Sequence, residues 1–132
     1  MKIIRNGEAP SVQAPAQNFT GTVWQNPIMR AEDPARVNSV NVTFMPGART
    51  NWHHHPYGQT LHVTAGLGWF QTEGEARIEI RPGDSIWIPP GEKHWHGATD
   101  TMMMSHIAIQ EREGEGHATW LEPVSDKDYL AQ

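Results

Sequence analysis

The chain has 132 residues, a formal net charge of -5, no cysteine, and 37% hydrophobic against 19% charged residues. That length suits one domain around one core. An acidic balance without a Lys/Arg run offers no stripe for nucleic acid or a membrane surface, no apolar run approaches a membrane span, and disulfide or thiolate chemistry is absent. A small-molecule partner is the expectation that is left. The opening MKIIRNGEAP lacks the apolar stretch of a secretory signal, so the expected location is cytoplasmic.

Residues 1–36 carry Pro10, Pro15, Pro27 and Pro34 and little periodicity. They read as an irregular arm, with a short strand around Phe19 to Trp24, packing on the body formed by residues 37–132 or on a neighbouring subunit. From Val37 the pattern changes. Val40, Val42 and Phe44 alternate with Asn41 and Thr43, a period-two strand closed by Pro46-Gly47.

Further strands are expected at 48–55, 59–65, 67–72, 76–81, 85–88, 93–98 and 102–110. They are joined by Pro56-Tyr57-Gly58, Glu73-Gly74-Glu75, Pro82-Gly83-Asp84 and Pro89-Pro90-Gly91. Short alternating runs with such punctuation predict an all-β sandwich or barrel. A short C-terminal helix fits after Ser125, capped by its hydroxyl and with Asp126 and Asp128 in the first turn.

In the 102–110 strand, Met102, Met104, His106, Ala108 and Gln110 share one face, and Met103, Ser105, Ile107 and Ile109 the other. The second face is too apolar to stand in water. Cover by the arm or by a second subunit is expected, which points to a homodimer or homotetramer.

The chemistry concentrates in GARTNWHHHPYGQTLHVTAG, residues 47–66. On a strand His53 and His55 share a face while His54 points away; after the Pro56-Tyr57-Gly58 turn, Gln59 can bring its amide oxygen back toward both imidazoles. His94, three residues past Gly91, is the candidate for a fourth ligand. Such a shell of three imidazoles and one amide is neutral, so a bound cation keeps its full charge for polarising or holding an anion. Mn, Fe, Co, Ni and Zn all accept those donors. The competing reading makes His94 a core histidine satisfied by a backbone carbonyl and the triplet a surface feature. A strand pattern running into a turn favours ligands.

His96 shares the face of His94, and His106 that of Gln110. Each histidine is either a general base beside the metal or a partner that orients a ligand. Val40, Val42, Phe44, Leu61, Trp87 and Met104 are the candidate apolar wall, several of them plain core. Thr50 is a candidate hydroxyl donor.

Two segments resemble the two cupin motifs. Gly47, His53, His55, Gln59 and Gly66 have the spacing of the first, with Gln where Glu is usual. Gly83, Pro89, Gly91 and His94 have that of the second, with Ala98 in place of its final Asn. The resemblance implies a double-stranded β-helix, or jelly-roll, barrel with the metal in its mouth.

Over nearly the whole chain, FTGTV, PGARTNWHHHPYGQTL, PPGEKHWHGA and AIQER are similar to the small bacterial manganese-dependent cupin hydroxynitrile lyases. That likeness implies Mn(II) and the exchange of cyanohydrins such as mandelonitrile with an aldehyde and hydrogen cyanide. Nitroalkanes are a further possible nucleophile. It also implies His106 as base, helped by Gln110 or His96. The departures are His54, Tyr57, His62 and Met102-Met103-Met104: His54 and His62 are expected to point outward, whereas Tyr57 and Met104 bear on the shape of the entrance and on substrate range. The alternatives are an oxidative cupin, a dioxygenase using the same shell, or a non-enzymatic small-molecule-binding cupin.

Overall fold

A computed structural model describes all 132 residues, Met1–Gln132. In chain order the first strands are β1 (Val12–Gln13), β2 (Phe19–Thr20), β3 (Val23–Arg30), β4 (Val37–Phe44), β5 (Arg49–Thr50), β6 (His53–His54) and β7 (Gln59–Gly66). They are followed by β8 (Gly68–Thr72), β9 (Ile78–Ile80), β10 (Ser85–Ile88), β11 (His94–Ala98), β12 (Met104–Glu111), β13 (Thr119–Trp120) and the helix α1 (Asp126–Tyr129). No helix is long and apolar enough to cross a membrane.

Two sheets face one another. One runs β1-β3-β4-β12-β7-β10; the other runs β13-β6-β11-β5-β2, with β8 also pairing β11 and β9 pairing β8. Every strand pairing is antiparallel, and the inner side chains of the two sheets make one apolar core from Phe19, Val23, Val42, Phe44, Leu61, Val63, Phe70, Ile80, Ile88 and Met104 among others. The all-β jelly-roll expectation holds, and the alternation that predicted it is visible in the burial of β7, where Gln59, Leu61 and Val63 are buried.

Three details differ from the sequence reading. The eight-residue strand β3 pairs along β4 in a segment expected to be mostly irregular. Its alternation is weak, with Trp24 and Ile28 exposed, and Pro27 obscures it further. Proline is tolerated here because the register shifts between Pro27 and Met29, a bulge that asks for no donor. The expected strand over 48–55 is broken at Asn51-Trp52, where Asn51 N donates to Asn18 O and Trp52 N donates to Glu122 O. The chain there changes neighbours, β5 pairing β2 and β6 pairing β13. The strand at 102–110 starts only at Met104.

The C-terminus is docked by a buried cation. Arg49 donates to the Val124 carbonyl at 2.8 Å and to Asp126 Oδ1 at 2.9 Å, and its guanidinium lies 4.3 Å from the centre of the Tyr129 ring. Tyr129 donates its hydroxyl proton to the Ala98 carbonyl at 2.6 Å. Ser125 caps α1 as expected, accepting from Asp128 N. The link ties α1 to β5 and to the end of β11, the strand that carries His94.

Gly66 ends β7 in the left-handed region at φ 78°, and a Cβ there would run into the Met103 carbonyl. Gly74 has φ 84° with open space around it. Gly66→Ala should therefore cost about 2 kcal/mol or more, and Gly74→Ala only about 1 kcal/mol from backbone strain alone. Urea unfolding of both variants checks the difference; equal losses would show that the contact with Met103 carries no weight.

Candidate metal centre

The first strand pair of the site is β6 on β11, which sets His53 directly opposite His94. His55 follows β6 immediately, with its carbonyl accepting from Gly91 N at 2.9 Å, and Gln59 opens β7 after the Pro56-Tyr57-Gly58 turn. The three rings converge, with centroids 4.2 Å apart for His53 and His94, 5.0 Å for His53 and His55, and 5.5 Å for His55 and His94. His54, half-buried, pairs with Thr119 on the far side.

Each converging ring is held the same way. Nδ1 of His53 bonds Asn51 O at 2.9 Å, Nδ1 of His55 bonds His117 O at 2.7 Å, and Nδ1 of His94 bonds Glu92 O at 2.8 Å. A carbonyl only accepts, so each ring keeps its proton on Nδ1 and carries a lone pair on Nε2. Nε2 of His55, Nε2 of His94 and Oε1 of Gln59 are buried with no partner in the protein. Buried polar atoms are ordinarily satisfied, so several orphaned acceptors meeting in one place mark a position built for a cation. Imidazole nitrogens with one neutral oxygen suit a first-row divalent ion.

His96 belongs to the same neighbourhood: the ligand atoms of His53, His94 and His96 lie within 4.8 Å of one another. On distance alone His96, and not His55, completes the set with His53 and His94. Their anchors differ. His96 Nδ1 lies 2.9 Å from His106 Nε2, so its proton is shared with a second titratable ring instead of being pinned by a backbone carbonyl. Nε2 of His96 and Nδ1 of His106 are both buried without a partner. Phe44 packs against both rings, 5.9 Å from His96 and 5.4 Å from His106 between centroids.

The site borders a cavity of about 60 Å³, lined by His53, His55, Gln59, His96 and His106 but not by His94. Val40, Val42, Phe44, Thr50 and Gln110 also stand in its wall. Leu61 and Met104 are instead fully buried core residues, because the inward face of β7 and β12 at those positions packs against the opposite sheet. Trp87 is 60% exposed: β10 is the edge strand of its sheet, and its inward positions are Ile86 and Ile88. Tyr57 also stays out of the cavity, with Arg36 stacked 4.9 Å from its ring centre.

Phe19, Gln25, Ala108, His117 and Trp120 line the cavity without having been singled out. Ala108 could have been found, since it shares a face with His106 and Gln110. His117 and Trp120 sit in EREGEGHATW, which has no alternation to place them, and only the pairing of β13 with β6 brings Trp120 onto His53, 4.5 Å between stacked rings. Gln25, Val40, Gln110 and His117 also line an adjoining outer vestibule of about 430 Å³.

Burial strips the imidazolium of its hydration, and the histidines respond together. Desolvation, then the neighbouring His94 and His55, holds His53 well below 6.5; desolvation, then His106, does the same for His96. Burial pushes His55, His94 and His106 down to about 4. Near neutral pH all five are uncharged, the state in which an imidazole binds a metal or accepts a proton.

Comparison with known proteins shows the family and the fold. The cupin domain family matches residues 40–109. An (R)-mandelonitrile lyase of Granulicella tundricola is 56% identical over 129 residues, covering 98% of each chain. The crystal structure of a cupin-like protein of Thermotoga maritima is 36% identical with a TM-score of 0.85, covering 99% of this chain and 96% of that one. A polyketide cyclase of Streptomyces resistomycificus shares the fold, with a TM-score of 0.73 at 18% identity over 98% of this chain and 90% of its own.

Because the folded pKa values lie below the unfolded value near 6.5, the unfolded chain binds more protons as pH falls, and acid favours it. Above that value these groups add no pH dependence. Metal-free protein should lose stability as pH drops from about 6.5 towards 4, by up to about 1.4 kcal/mol per pH unit for each buried histidine. Thermal melting across that range checks it, and a flat profile would contradict the buried neutral state.

Proposed function

The chain belongs to the cupin domain family, and from that premise we propose that it is a metal-dependent carbon–carbon lyase acting on cyanohydrins of the mandelonitrile type. The whole-length likeness to a mandelonitrile lyase carries this reading. One divalent ion, Mn(II) by the family resemblance, would be held by His53, His55, Gln59 and His94. What favours His55 over His96 as ligand is its backbone anchor, shared with His53 and His94, against the ring-to-ring bond of His96. When bound, the cation supplies positive charge that lowers the pKa of the substrate hydroxyl and stabilises cyanide as it departs.

The protein's own groups do the remainder. Val40, Val42, Phe44 and Phe19 form an apolar wall against which the organic part of the substrate rests, and exclude water from the floor. The His96–His106 pair acts as the base, accepting the hydroxyl proton on one of its two uncommitted nitrogens. The oxygen's electron pair then forms the carbonyl while the pair of the C–CN bond leaves with cyanide. Return of the proton from the histidine pair gives hydrogen cyanide and restores the base. No change of oxidation state is required.

A second copy of the chain would pack on the outer face of the β1–β10 sheet, where Trp24, Ile109 and Trp87 stand exposed.

Purified protein, analysed for metals and assayed anaerobically with mandelonitrile before and after chelation, tests the activity. Cyanide release that falls on chelation and returns with Mn(II) is expected; none from metal-loaded protein would refute the reading. His106→Ala should cut turnover by roughly two orders of magnitude with metal retained, and unchanged turnover removes His106 from the base. His55→Ala should empty the site while His96→Ala keeps its metal; the opposite result would exchange their roles.

A further inference from the structure

Gln59 is an unusual ligand because an amide can present either end. A carboxylate has no wrong way round, whereas a glutamine turned over would aim its NH2 group at the cation. Something must fix which atom faces the site.

The structure holds a chain of amides behind Gln59. Gln59 Nε2 donates to Gln110 Oε1 at 2.9 Å, with both side chains buried. Gln110 Nε2 in turn donates to Asn38 Oδ1 and, at 3.4 Å, to the backbone carbonyl of Asn38. That last acceptor cannot be reversed. A carbonyl takes a proton and never offers one, so Gln110 must turn its NH2 group towards Asn38 and its oxygen towards Gln59. Gln59 must then answer with its own NH2 group, which leaves Oε1 facing the histidines, where it is buried and without a partner. Each member of the chain has one acceptable orientation. The register of β12 between β4 and β7 supplies the alignment, pairing Gln110 with Asn38 on one side and Gln59 on the other.

We propose that Asn38 and Gln110 are positioning residues: a one-way amide relay, anchored on the backbone of β4, that turns the oxygen of Gln59 towards the metal. This rests on the assignment of Gln59 as a ligand. It also gives a physical reason for Gln where cupins usually carry Glu. A carboxylate at 59 would meet the oxygen of Gln110, and relief requires Gln110 to flip. The flipped amide then needs a donor at position 38, which the Asn38 side chain can supply and an aspartate cannot.

The test is a cycle of Asn38→Asp in two backgrounds, read as Mn(II) affinity by chelator competition on the whole protein. With Gln59 present, Asn38→Asp keeps the required acceptor and affinity should stay the same or rise. With Gln59→Glu present, the same substitution should weaken affinity about 10-fold or more relative to Gln59→Glu alone, the scale expected when a partner orienting a ligand is lost. The ratio between backgrounds cancels the attraction that any new carboxylate has for the cation. Asn38→Asp effects equal in the two backgrounds would overturn the relay. Gln59→Leu separates the layers: unchanged Mn(II) affinity in that variant would remove Gln59 from the shell, and the relay with it. Reduced affinity there with no coupling between 38 and 59 would leave the ligand assignment standing and sink the relay alone. Melting of the metal-free variants confirms that each is folded.

Discussion

Three hydrogen bonds from imidazole Nδ1 to backbone carbonyls hold this site together, at Asn51, His117 and Glu92. Each fixes a ring's tilt and its proton in one stroke and leaves the other nitrogen as a lone pair. Asn51, Glu92 and His117 lie in the connections that lead directly into β6, β11 and β13. Asn51 is tied by its side chain to the Gln17 and Leu121 carbonyls, at 2.9 and 3.1 Å. The three rings are therefore held in one orientation by the protein's own backbone.

Burial works in the same direction as these bonds. Taking the rings out of water disfavours imidazolium, so the cluster stays neutral although several histidines sit within 6 Å of one another between ring centroids. A like-charged cluster in so small a space would repel itself. Burial lowers His96 and His106 in the same way, so all five rings share one uncharged state and differ in their hydrogen bonds: Nδ1 of His53, His55 and His94 meets a backbone carbonyl, whereas Nδ1 of His96 meets Nε2 of His106.

Core and cavity residues share the same levels along the sheet: the register sets His106 beside Val42 and Val63, Ala108 beside Val40 and Leu61, and Gln110 beside Gln59. Leu61, Val63, Ile88 and Met104 belong to the packed core. The cavity opens beside them against β4 and β12, towards the end that carries Gln59 and Gln110. The buried Arg49, stacked on Tyr129 and bonded to Val124 and Asp126, closes the opposite end with the C-terminal helix.

Much of this was legible in the residues themselves. Period-two alternation in β4, β7 and β12 separated inward from outward positions, and the spacing of His53, His55, Gln59 and His94 showed that they could converge. What alternation cannot show is which inward positions border a cavity, so Leu61 and Met104 look the same as Val42 in the sequence. Nor does it mark an edge strand, which is why Trp87 turned outward against expectation. His117, Trp120 and Asn38 reach the site only through strand pairing across more than fifty residues of chain, and the anchoring carbonyls have no side-chain signature at all. Local order follows from nearest neighbours along the chain and could be read there; the proton positions, the cavity and the amide chain behind Gln59 depend on which strands lie side by side, and only the tertiary structure decides that.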